Sequence, residues 1–335
     1  MMAYYAILPH IEVQAANLHT SGLLLGGAPI MAANLFAHAI CRRLGVQDTG
    51  VIYIHHDRQD LGSFAYGRFT PAQRRGSVFI NKSDYSSKNP HALSLQPTAS
   101  CHLRLSLLVR LEARRVPRLA KLRACLANAR FAGGQIIGMG EVQLVSAENL
   151  HQILHQTIKH GFVVIDRQDV LTAYQRTHRL DRLQAFTRLL ALTPTGLAHA
   201  FGKQHALGFL SATNVGYALL EPPTEARTGV RQAYDINGDM LPTAHAYAEP
   251  LLGLVQYVSI QQLFALTKPQ ADDNNHADAS TANDGDEATL ANPIAEPLRQ
   301  LAAKPNGLFW RYGWQDFDGG AVFLLHQGDL DNPTH

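Results

Sequence analysis

The sequence predicts an α+β chain, and three observations predict it. Residues Cys101–Leu111 (CHLRLSLLVRL) alternate at the two-residue period of a strand. Leu119, Leu122, Leu126 and Ala129 recur at the spacing of one helix face. Segments of the two kinds follow one another over residues 1–147 in the order β-α-β-β-α-β.

Each element has its own signal. Tyr4–Val13 alternates weakly and reads as a strand. The stretch GGAPIMAANLFAHAICRRLG reads as a helix, with Pro29 in its first turn, Arg42 and Arg43 in its last, and Gly45 as its cap. Val51–His55 is the second strand. In Cys101–Leu111, Leu103, Leu105, Leu107 and Val109 share one face, and His102, Arg104, Ser106 and Arg110 mostly take the other. A second helix is predicted from about Val116 to Phe131. A glycine loop ends it, with Gly133–Gly134 as its cap, and Glu141–Val145 makes the last strand. This order is that of a ferredoxin-like or RRM-like unit.

Between the second and third strands lies an insertion, about residues 61–99, in which FAYGRF and SVFINK are expected to pair as an irregular hairpin. Residues 148–335 form an extension, mostly helical over 148–205 with a strand at Phe162–Asp166. Val215–Leu220, an exposed-looking Leu251–Leu266 and a closing hairpin from Leu308–Tyr312 and Ala321–His326 follow. Residues 269–292 are acidic and of low complexity, the composition of a disordered segment.

At 335 residues, 46% apolar and 17% charged, the chain has the composition of a soluble globular protein. No apolar run reaches the 18 or so residues of a membrane span, and the N-terminus lacks the charged region and the cleavage motif of a signal peptide, so a cytoplasmic protein without membrane contact is expected. Three cysteines, without CxxC spacing, argue against a disulfide framework or a thiolate zinc site. The net charge of +2 conceals an asymmetry: residues 269–335 carry three Lys or Arg against eleven acids, net −8, so the first 268 residues carry +10. A basic body with an acidic tail fits a nucleic-acid binder.

The basic charge is concentrated. Between Cys101 and Arg130 stand eight Lys or Arg residues and a single acid, Glu112. The glycines that follow are neither a Walker A loop, for no Gly-Lys-Ser/Thr is present, nor a dinucleotide fingerprint, for they follow a helix and precede a strand. Gly138 and Gly140 are the places where backbone could approach a ligand closely. The insertion interleaves Arg68, Arg74, Arg75, Lys82 and Lys88 with Phe64, Tyr66, Phe69, Phe79 and Tyr85, a pattern suited to unstacked bases and their phosphates. His55, His56 and Asp57 look metal-like, but adjacent strand residues point to opposite faces, so no metal or other cofactor is expected. Trp310 and Trp314 are assigned to core or to a subunit interface.

Several stretches together resemble a known family. ILPHIEVQAANLHTSGL, FAHAICRRLG, QRRGSVFINKSDY, CHLRLSLLVRLE, ARFAGGQII, HGFVVIDRQDVL and NVGYALLEPP occur in an order similar to that of the RAMP superfamily of CRISPR proteins. Within it, the chain resembles the second Csy proteins, the Cas-five-type subunits of type I-F surveillance complexes. The resemblance covers roughly residues 5–260; the acidic segment has no counterpart.

That resemblance implies a RAMP-type RRM-like core with an inserted thumb hairpin over about 61–99. It implies a non-catalytic subunit that binds and caps the 5′ handle of the CRISPR RNA. The subunit would pair with the large, Cas-eight-type subunit and abut the backbone, Cas-seven-type subunit; contact with target DNA is left open. Arg42, Arg43, Arg68, Arg74, Arg75, Lys82 and Arg104 would grip the handle, helped by backbone near Gly138 and Gly140. Tyr66, Phe69 and Phe79 would stack on bases, and Arg227 and Arg231 would touch the handle or the large subunit. Two alternatives stand beside this reading. One is a metal-independent endoribonuclease with His38 as acid or base, against which a buried structural histidine is the plainer reading of FAHAI. The other is a protein scaffold without RNA contacts.

Overall fold

The computed structural model describes residues 2–21, 24–72, 74–79, 93–146, 153–201, 207–224, 233–234, 240–241, 244–265, 298, 305–317 and 320–328. The acidic stretch 269–292, Lys82, Arg227 and Arg231 lie outside the described residues. In chain order the N-terminal part gives β1 (Met2–Asn17), α1 (Ile30–Leu44), β2 (Gln47–Asp60), β3 (Gly62–Ala65), β4 (Arg68–Pro71), β5 (Arg74–Phe79), β6 (Leu93–Thr98), β7 (Ser100–Ala113), α2 (Leu119–Leu126), β8 (Arg130–Phe131), β9 (Gly134–Gly138) and β10 (Gln143–Ser146). After it come a single π-helical turn at Leu154–Ile158, β11 (Phe162–Asp166), α3 (Gln168–His178), α4 (Arg182–Leu190), α5 (Pro194–Phe201), β12 (Phe209–Leu219), β13 (Ala233–Tyr234), β14 (Met240–Leu241), β15 (Ala248–Ser259), α6 (Ile260–Ala265), β16 (Arg311–Phe317) and β17 (Gly320–His326). No helix among the described residues is long and apolar enough to cross a membrane.

One antiparallel sheet of 11 strands organises the chain, in the order β16-β17-β12-β15-β11-β2-β7-β1-β9-β8, with β10 also pairing β1. Its centre is β7, whose alternation fixes the register: Leu107 faces Leu8 on one side and Tyr53 on the other. The alternating set Leu103, Leu105, Leu107, Val109 and Leu111 is buried under α1 and α2. Leu108 and its neighbours Tyr5, Ile7, Ile52 and Ile54 are buried on the opposite face, beneath Leu154, Ile158, Leu263 and Phe309. The central strands are therefore apolar on both faces at mid-length and polar toward their ends, which is why β1 alternates weakly in sequence.

The first helix follows its punctuation. Pro29 precedes Ile30, and Gly45 takes a left-handed φ of 76°, which lets its N–H reach the Arg42 carbonyl while Val46 N–H bonds Cys41. The second helix is shorter than its apolar spacing suggested. Pro117 keeps Val116 out of helical backbone, Arg118 is extended, and the chain turns after Leu126 so that Arg130 can enter β8. Ala129 is buried without being helical. Phe131, fully buried, meets Phe36 of α1 edge-on at 5.5 Å; Phe131→Ala would cost about 3–5 kcal/mol.

The glycine stretch is a hairpin rather than a loop. Ala132 (φ 46°) and Gly133 (φ 78°) form a two-residue turn with positive φ at both positions, joining β8 to β9. Gly133–Gly134 thus caps no helix. In the insertion, FAYGRF closes on itself as β3–β4, and β5 pairs with β6, not with FAYGRF. A short glycine turn beats the longer closure first expected. The extension adds β11, β15, β12, β17 and β16 to the same sheet besides its helices. Leu254, Val255, Tyr257 and Val258 are buried within β15, so the described part of this segment, Leu251–Ala265, is largely core and not an exposed interface.

Candidate nucleic-acid interface

At one end of the sheet β2 runs on into the β3–β4 hairpin. Tyr66 (φ 52°) and Gly67 (φ 71°) make its tight turn, and Leu61 N–H and Ala72 N–H tie its base to Ser100 and Leu61 carbonyls. Tyr66 is fully exposed, Phe64 is 74% exposed, and Arg68 is exposed beside them. Phe69 is half-buried, its ring packed on Gly62 of the opposing strand. The tip therefore offers one tyrosine, one phenylalanine and one arginine to solvent, a patch whose apolar area is left for a partner. Arg74, Arg75 and Phe79 belong to β5; their side chains lie outside the described residues.

Beside the hairpin, two irregularities re-aim side chains. The β1–β7 register shifts between Leu8 and Ile11, and His10 sits there in left-handed backbone, φ 50°. The β2–β7 register shifts between His55 and Asp57. Both shifts place His10 and His56 over Ser106: the His10 N–H donates to Ser106 Oγ at 2.8 Å, and His56 Nε2 lies 2.6 Å from it. His160, in the turn before β11, completes a set of three rings with centroids 4.7–5.4 Å apart. Burial, together with the neighbouring imidazoles, depresses His56 to about 3 and lowers His10. Arg104 is exposed on β7 opposite Glu12 and Asp57.

Gly138 and Gly140 also lie here, pressed against β1. A Cβ on Gly138 would stand 3.0 Å from Glu12 Oε2, and one on Gly140 would stand 3.0 Å from Pro9 Cγ. Gly140 N–H donates to the Pro9 carbonyl at 2.8 Å. Their lack of side chains serves the close seating of this segment on the β1 bulge.

The other basic residues gather at the opposite end of β7, nine residues and about 30 Å along the strand. Leu44, Gly45, Glu112, Ala113, Arg114, Arg115, Arg118 and Lys121 line a groove of about 780 Å³ between α1, β7 and α2. Lys121 Nζ donates to the Leu44 carbonyl at 3.2 Å, and exposed Arg42 and Arg43 occupy the last turn of α1 directly before the groove. Of the arginines singled out in the sequence, Arg68 and Arg104 therefore stand at one end of the sheet and Arg42 and Arg43 at the other.

His38 is half-exposed, not buried: its Nδ1 lies 3.1 Å from Asp48 Oδ1 and 2.7 Å from the Tyr312 hydroxyl. His55, on the opposite face from His56, meets Tyr257 edge-on at 5.4 Å and is depressed to about 4 by burial and Arg58. Adjacent histidines do part across the strand, but His56 finds partners on other elements. Pro9 in the middle of an apolar run was the one sequence sign of that bulge. Trp310 is core, its Nε1–H donating to Val164 O at 2.9 Å, whereas Trp314 is 61% exposed. All three cysteines are free, and burial pushes Cys41 and Cys101 up to about 12, which leaves their thiols inert.

Residues 6–272 match the family described as CRISPR-associated protein (Cas_Csy2). No individual curated protein matches the chain.

Proposed function

The chain belongs to the Cas_Csy2 family of CRISPR-associated proteins, and from that premise we propose that it is a non-catalytic RNA-binding subunit that caps the 5′ handle of the CRISPR RNA in a type I-F surveillance complex. The exposed tip of the β3–β4 hairpin carries this reading. Phe64, Tyr66 and Arg68 stand on a short, well-tied ribbon, exposed among the described residues. Aromatic faces next to a guanidinium hold unpaired bases with little sequence preference. Arg104 lies along the same end of the sheet, where phosphates between splayed bases would pass.

The strand order β2-β7-β1-β9, with α1 and α2 on one face, supports a ferredoxin-like core of the RAMP kind with β3–β6 as its thumb. The second basic surface, around Arg115 and Arg118, serves either the handle's continuation or an acidic face of the large or backbone subunit. Photocrosslinking in the assembled complex tests the proposal. An RNA carrying crosslinkable bases in its 5′ handle should label the segment Phe64–Arg68. Labelling confined to other subunits would leave the chain a protein scaffold.

A further inference from the structure

We propose that His10, His56 and His160 bind a divalent transition-metal ion of the zinc class. Each histidine offers a ring nitrogen, and the three atoms lie within 4.8 Å of one another. Tetrahedral Zn–N bonds of about 2.05 Å need nitrogens about 3.3 Å apart. The required contraction falls to His160, which is exposed and free to adjust its rotamer. The other two are held: His10 by the backbone bulge and His56 by Ser106.

The chemistry of the donors fits. His56 Nδ1 is shut away from solvent, has no hydrogen-bond partner among the described residues, and faces the turn at Gly161, next to His160. With His56 Nε2–H given to Ser106 Oγ, Nδ1 presents its lone pair. This is the usual arrangement of a metal-ligating imidazole, whose second nitrogen is fixed by an outer partner. Three imidazoles and no carboxylate select zinc, cobalt, nickel or copper over magnesium or calcium. Three protein ligands leave a fourth position for water or an anionic group.

The bound ion would tie the β1 bulge and the end of β2 to the turn entering β11. Two packed halves of the chain would then share one coordination centre. The claim is separate from RNA binding and survives or fails without it.

Untagged full-length protein, stripped with EDTA, is titrated with ZnCl₂ by calorimetry, and bound zinc is counted by mass spectrometry after desalting. One zinc per chain is expected, with a cobalt complex that absorbs in the visible and no uptake of Mg²⁺. His160→Ala, at an exposed site, should keep its circular dichroism and lose tenfold or more in zinc affinity. His10→Asn should do the same, because asparagine tolerates the left-handed backbone at that position. Absence of stoichiometric zinc in the unaltered protein, or unchanged affinity in His160→Ala, overturns the proposal.

Discussion

The phenol of Tyr312 donates to Asp48 Oδ2 at 3.0 Å, while its oxygen lies 2.7 Å from His38 Nδ1. A carboxylate only accepts, so the His38 Nδ1–H is left to donate, shared between the Tyr312 oxygen and Asp48 Oδ1. The triangle latches the last hairpin to α1 and β2. Tyr312→Phe should lower stability by about 1–2 kcal/mol in urea, with the slope unchanged. Burial, then Asp48, pushes Tyr312 up to about 12. Its folded pKa exceeds the unfolded value near 10, so its contribution is whole below pH 10 and disappears as pH rises toward 12. Alkaline unfolding of Tyr312→Phe should lack that component.

A histidine engaged in such a latch is a poor general base. Purified protein incubated with repeat RNA in EDTA should give no cleavage, and His38→Ala should behave alike. Cleavage that disappears in His38→Ala would replace the capping reading with the endoribonuclease.

Tyr66 is exposed, so Tyr66→Ala should change stability by no more than about 0.5 kcal/mol. Loss of one stacked base should still cost about 1–3 kcal/mol of handle affinity. Arg68→Ala, and the pair Arg74→Ala and Arg75→Ala, should also weaken RNA retention in the assembled complex. Unchanged retention across all of these would remove the hairpin from RNA binding.

Neutralising about six phosphates of a single strand predicts that log K falls against log salt with a slope near −4. If Arg115 and Arg118 face RNA, replacing both with alanine should flatten that slope to about −3. A slope left at −4, with weaker assembly of the complex, assigns the groove to a protein neighbour.

Asp166 gives a separate pH signature. Burial pushes its carboxyl up to about 7, offset in part by the Gln168 N–H that donates to it at 3.1 Å. The folded state therefore holds the proton more tightly than the unfolded state. Stability should be whole below about pH 4 and fall as pH rises toward 7. Asp166→Asn should remove this slope; an equal slope in the variant would assign it to another group.

The helices and strands of the N-terminal part were legible because their period, their proline and their glycine cap agree. The β8–β9 hairpin was not, because Ala132 adopts positive φ against its own preference and only Gly133 advertised a turn. In the extension, the strand at Phe162–Asp166 and a closing hairpin were legible, but their joining of one sheet with β12 and β15 was not, because β11 and β15 are buried on both faces and show no alternation. At the site, the basic residues were found by composition alone, but composition carries no distance. It could not show that Arg42 and Arg104 stand at opposite ends of β7. His10 and His160 escaped notice because a bulge and a turn, not a sequence spacing, bring them to His56.

The seam between β2 and β11 orders how the chain can be made. Until β11 emerges from the ribosome, the outer edge of β2 has no strand to pair with, and β11 meets it through only Ile54 and His55. Trp310, which bonds Val51 from much later in the chain, is the last of the described residues to pair with β2. A nascent fragment stopped near residue 147 would carry an open, apolar strand edge through synthesis, which invites pairing with other chains. Synthesis past Trp310 is what turns a sticky half-sheet into a finished one.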